Sequence, residues 1–106
     1  MAWRASLSKN LQELRIQLCQ TGPASEGARE FVLGSYQELK KANPNFPILV
    51  RECVGAPARL VARYDFGKEE SVTVDGLDKS AISKKLQDLI AQGEKMPRSA
   101  ESEGKL

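Results

Sequence analysis

Histidine is absent from the 106 residues, which removes the commonest general base and metal ligand of proteins, and Ser-His-Asp catalysis with it. Only two cysteines occur, too few for a zinc centre built from thiolates and imidazoles. The eight glycines spell neither a phosphate-cradling loop nor a dinucleotide fingerprint. No apolar run approaches the roughly 18 residues that a membrane helix needs. Aromatic residues are scarce, three Phe, two Tyr and one Trp, so the core is expected to be mainly aliphatic. A dominant charge is missing as well. Sixteen basic against 14 acidic side chains leave a net +2, little reason to expect nucleic acid or anionic lipid as a partner. Most enzyme classes are thereby disfavoured.

What is present describes one ordinary globular domain. Hydrophobic residues make up 41% and charged ones 28%, at a mean hydropathy of −0.42, and a chain of this length buries about two-thirds of its unfolded surface. Residues 1–10 carry Arg4 and Lys9 with no acid before Glu13. That composition suits a short targeting segment, or equally a frayed basic terminus. Residues 11–19 alternate Leu14, Ile16 and Leu18 with Glu13, Arg15 and Gln17, the period of a strand with one polar face. Thr21-Gly22-Pro23 breaks the pattern, and Ser25 is a candidate N-cap, followed by Glu26 in the first turn of a helix. Ala28, Phe31, Val32, Ser35, Tyr36 and Leu39 form its apolar stripe, and Asn43-Pro44 stops it.

Residues 48–53 read as a second strand, and Gly55 and Pro57 as a turn. Residues 59–66 alternate as a third strand, and residues 67–70 read as a hairpin loop into a fourth, residues 71–74. Asp78 or Ser80 caps a last helix with the stripe Ala81, Ile82, Leu86, Leu89 and Ile90, and Gly93 ends it. The polar stretch after it reads as a disordered tail. The order β-α-β-β-β-α requires a parallel first unit with a right-handed crossover. The predicted fold class is α/β and thioredoxin-like, a four-stranded mixed sheet with a helix on each face. The predicted organisation is a variable basic segment (1–10), a thioredoxin-like domain (11–92) and a disordered polar tail (93–106).

The two cysteines end the first and second strands. If these strands are parallel neighbours, Cys19 and Cys53 lie about 4.8 Å apart at one sheet edge, within bridging range. A crosslink there would contribute up to about 4 kcal/mol on the loop-entropy account. Two reduced thiols in the interior are the competing reading, since disulfides are rare in reducing compartments. A third reading takes Cys19 as the nucleophile of a monothiol redox protein, because Cys19-Gln20-Thr21-Gly22 stands where such folds carry Cys-x-x-Cys, with Gly22 in place of the second thiol. Arg51, Arg59 and Arg63 lie on or beside the second and third strands as a possible basic patch. Arg51 and Arg63 are the candidate partner contacts. Glu69-Glu70 is read as a solvated pair on a turn.

One further likeness rests on particular residues. The run Glu38-Leu39-Lys40-Lys41-Ala42-Asn43-Pro44, followed by Phe46-Pro47-Ile48-Leu49-Val50-Arg51-Glu52-Cys53, resembles the small accessory subunits of mitochondrial respiratory complex I. Leu14-Arg15-Ile16, Leu18-Cys19-Gln20, Ala62-Arg63-Tyr64 and Phe66-Gly67 extend the resemblance over about residues 11–89. The resemblance implies a thioredoxin-like, non-catalytic subunit without a cofactor. It places that subunit on the matrix side of the inner membrane, peripheral to it, on the matrix arm of the complex. Its partners would be other matrix-arm subunits near the NADH-oxidising module, in particular the large iron–sulfur subunit, with no nucleic acid and no membrane span. It also implies that Cys19 and Cys53 match a cysteine pair able to form a redox-dependent disulfide. The same fold family includes mitochondrial ribosomal proteins, which are typically more basic than this chain.

Overall fold

The computed structural model describes residues 6–96; residues 1–5 of the expected basic segment and most of the expected polar tail lie outside the described residues. A short helical turn, α1 (Leu7–Asn10), precedes strand β1 (Glu13–Leu18). A 3-10 turn (Pro23–Ser25) then leads into helix α2 (Glu26–Ala42). Strands β2 (Ile48–Glu52) and β3 (Arg59–Arg63) follow. A second 3-10 turn (Asp65–Gly67) connects to β4 (Glu69–Thr73), and helix α3 (Lys79–Glu94) completes the order. The sheet runs β2-β1-β3-β4. β1 and β2 are parallel, while β3 is antiparallel to both β1 and β4. This is the mixed four-stranded α/β architecture that the alternating periods predict.

The helices are placed differently from the expectation of one on each face. Leu14, Ile16 and Leu18 of β1, Ile48 of β2, and Leu60 and Ala62 of β3 are buried on one side of the sheet. Phe31 and Leu39 of α2 and Ile82, Leu86, Leu89 and Ile90 of α3 join the same cluster. Both helices therefore cover one face, and the sheet is a two-layer structure. The reason lies in the strands themselves. Their alternate positions carry Glu13, Arg15, Gln17, Arg51, Arg59 and Arg63, which a second helical layer would have to desolvate at a cost of several kcal/mol per unpaired charge. Each large aliphatic side chain turned inward contributes about 1.5–3 kcal/mol, so one apolar face is enough to fix both helices.

The element ends show where side chains outweigh local signals. The fold reaches further toward the N-terminus than residue 11, because Leu7 is fully buried in the core. Buried Asn43, at the end of α2, ties α1 down: its Oδ1 accepts from Ser8 N at 3.1 Å, and its Nδ2 donates to Leu39 O at 2.9 Å. Asn10 Nδ2 donates to Ile90 O at 3.0 Å, joining α1 to α3. Asp78 rather than Ser80 caps α3, accepting from Ala81 N at 2.8 Å. Gly93 lies inside α3 instead of ending it. A side chain there would come within 2.5 Å of Asn10 O and 2.8 Å of the Tyr64 ring, so close approach and not helix termination calls for glycine. Glu69 and Glu70, expected in a loop, are the first residues of β4, opposite Arg63 and Ala62.

Candidate functional site

The parallel pairing of β1 and β2 brings the two cysteines to one edge, as their strand-end positions predict. Leu18 is in register with Glu52, and Cys53 N donates to Leu18 O at 2.9 Å. Their side chains do not meet as a bridge. Both are free thiols, Cys19 buried and Cys53 exposed. Cys19 Sγ is instead engaged by backbone: Gly22 N donates to it at 3.3 Å and Gly55 N at 3.5 Å. Hydrogen bonds from the backbone of Thr21, Gly55 and Gly22 favour the thiolate over the opposing effect of burial, and hold the Cys19 thiol down at about 7.

The loop that presents these donors is built by residues whose part the sequence does not announce. Ser25 begins α2 as expected, yet makes no side-chain cap to it. Buried, it turns its Oγ back to accept from Cys19 N at 3.0 Å. One turn on, Arg29 Nη1 donates to Cys19 O at 2.9 Å and Gly22 O at 2.8 Å. Strand end, loop and helix start are thus closed into one unit around the sulfur. Seryl and arginyl side chains at i+6 and i+10 from a cysteine carry no motif; only the strand–turn–helix fold aligns them.

The second candidate feature is the sheet face that no helix among the described residues covers. Register places Arg51, Gln17, Arg59 and Thr73 in one row across the strands, and Glu13, Arg63 and Glu69 in another. Arg51 and Arg63 share this face, at opposite ends of it. Arg63 faces Glu69 at 4.0 Å, and Arg15 pairs with Glu13 through its Nε. Arg51 and Arg59 make no ion pair with a described residue, and Arg59 Nε is buried without a hydrogen-bond partner. Among the described residues there is no group of three or more acidic, cysteine or histidine side chains able to hold a metal ion. No helix among them is long and apolar enough to cross a membrane.

Comparison with known proteins bears on this arrangement. Residues 28–79 match the family described as the mitochondrial ribosomal protein L51 / S25 / CI-B8 domain. NADH dehydrogenase (ubiquinone) 1 alpha subcomplex subunit 2 of Arabidopsis thaliana is 50% identical over 93 residues, which cover 88% of this chain and 96% of that protein. The mouse protein of the same name is 43% identical over 76% of this chain and 82% of its own length. The NADH-ubiquinone oxidoreductase 10.5 kDa subunit of Neurospora crassa is 39% identical over 85% of this chain and 96% of its own length. With identities of this size over most of each partner's length, the chain belongs to the family of NADH dehydrogenase (ubiquinone) 1 alpha subcomplex subunit 2.

Proposed function

We propose that this chain is a non-catalytic accessory subunit of mitochondrial NADH:ubiquinone oxidoreductase, complex I. In this reading it docks on the matrix arm beside the NADH-oxidising module and its large iron–sulfur subunit, peripheral to the inner membrane on the matrix side. The observation that carries the reading is the 50% identity over 96% of a relative named as a subunit of that enzyme. The geometry agrees with a docking module, since no helix among the described residues covers one sheet face, Arg51 and Arg63 on it being the proposed contacts. A soluble monothiol enzyme is the weaker reading: Gly22 occupies the position of a resolving thiol, and Cys19 is 7% exposed.

Blue-native electrophoresis of mitochondrial membranes followed by peptide mass spectrometry tests the proposal. The chain's peptides are expected in the complex I band. Their recovery only with ribosomes, or only as a free matrix protein, refutes it. Within the same reading, oxidation of the free thiols to a Cys19–Cys53 bridge is proposed as a second state of the subunit. Oxidant-treated wild type should then migrate faster than Cys53→Ser on a non-reducing gel, and identical migration refutes the bridge.

A further inference from the structure

We infer that the Arg51–Gln17–Arg59 row of the open sheet face is a seat for carboxylate side chains, and that its occupant is an acidic segment of a partner protein. The inference deepens the docking reading above and rests on it only for the partner's identity.

The face carries four arginines, and its own carboxylates serve two of them. Arg15 pairs with Glu13, and Arg63 faces Glu69. Arg51 and Arg59 flank Gln17 on the two strands beside β1, about 10 Å apart at two strand spacings. Gln17 is neutral and its Nε2 is turned aside to Pro57 O at 3.1 Å, so nothing on β1 competes for the two guanidiniums. Their charge is therefore concentrated at one end of the face, while the other end holds Glu13 and Glu69 and is self-compensated. A guanidinium meets carboxylates through paired, charge-assisted hydrogen bonds, and neither Arg51 nor Arg59 makes an ion pair with a described residue.

The neighbouring row adds apolar area. Leu49 and Val61 flank Arg15 in register, with Leu49 39% exposed. Apolar side chains beside arginines that make no ion pair with a described residue are the composition of a protein interface, where arginine is enriched and lysine depleted. A nucleic-acid backbone would ask for a longer basic track than two side chains, on a chain of net charge +2.

The test uses the full-length chain in cells lacking the endogenous copy. The double reversal R51E/R59E is compared with K84E/K85E, the same charge change on the exposed side of α3. The first should reduce the chain found in its native assembly at least about tenfold, in line with the cost of reversing desolvated charge pairs. The second should leave it unchanged. Equal incorporation of R51E/R59E and wild type overturns the inference while leaving complex I membership intact. Because R51E/R59E can fail by misfolding, a photo-crosslinker at position 49 of the otherwise wild-type chain supplies a second readout. Adducts to an Asp- and Glu-containing peptide support the inference, and if that peptide lies outside complex I, only the proposed assembly falls. Adducts to lipid or RNA, or none, overturn it.

Discussion

Gly27→Ala and Gly34→Ala, two identical substitutions in helix α2, should change stability in opposite directions. In an exposed helix interior, replacing glycine by alanine gains about 1 kcal/mol through lower chain entropy and better helix propensity. Gly34 meets that description, since a Cβ built there has nothing within 4 Å. Gly27 does not. Its Cβ would overlap Leu77 O outright and come within 2.8 Å of Leu77 C and 3.0 Å of Asp78 Cα. Backbone obstructs it, so no rotamer change relieves the overlap. The obstructing segment is also tied. Gly76 N donates to Ala24 O at 2.8 Å, and Leu77 N to Val74 O at 3.2 Å. Asp78 caps α3, so the segment moves only by giving up bonds worth about 1 kcal/mol each.

Overpacking of this kind costs about 1–3 kcal/mol before such bonds are counted. With the propensity gain subtracted, Gly27→Ala should lose about 2 kcal/mol net, a fall in Tm of about 10 °C for a domain of this size. Gly34→Ala should rise by a few degrees. Thermal melts followed by far-UV circular dichroism, checked by urea titration, read both. A Gly27→Ala protein that melts at or above wild type would show that the junction between α2 and α3 yields freely, and would refute the reasoning. Because Ser25 and Arg29 lie on either side of Gly27, the variant should also loosen the loop around Cys19.

Tyr64→Phe removes the buried hydrogen bond from Tyr64 Oη to Leu89 O, 2.7 Å long, and should cost about 1 kcal/mol in a denaturant titration. The same side chain gives a pH signature. Burial, and secondarily the charge of Glu70, push the tyrosine up to about 12, so the native state keeps its proton while the unfolded chain loses one from about pH 10. Stability should therefore fall as pH rises from about 10 to 12, and Tyr64→Phe should abolish that part of the loss; an unchanged alkaline profile refutes it. In a Cys53→Ser background, iodoacetamide should alkylate Cys19 with a pH midpoint near 7, following its lowered value, whereas a midpoint near that of a free thiol would contradict the role of the Thr21, Gly55 and Gly22 amides. Phe66 sits at φ 63°, exposed, in the β3–β4 turn. Phe66→Asn should stabilise the isolated protein by about 1 kcal/mol, since asparagine tolerates that conformation better, and a drop in Tm would contradict it.

Much of this molecule was decided along the chain. The alternation through β1 and the stripes of α2 and α3 are local properties of residue spacing, so four strands, two long helices and the parallel β1–β2 unit follow from periodicity and the crossover rule. The juxtaposition of Cys19 and Cys53 follows in turn, because parallel neighbours end on the same edge. Tertiary structure decided what periodicity cannot encode. That Leu7 belongs to the core depends on Asn43 and Ile90, distant residues that hold α1 in place. The state of the cysteines turned on where their sulfurs point, and the backbone amides of Gly22 and Gly55 claim Cys19. Both helices share one face because each row of outward strand positions carries at least one charged side chain, a sum over three strands that no single segment displays. That same sum leaves Arg51 and Arg59 without an ion-pair partner among the described residues, since pairing depends on which strands become neighbours and not on which residues are neighbours in sequence.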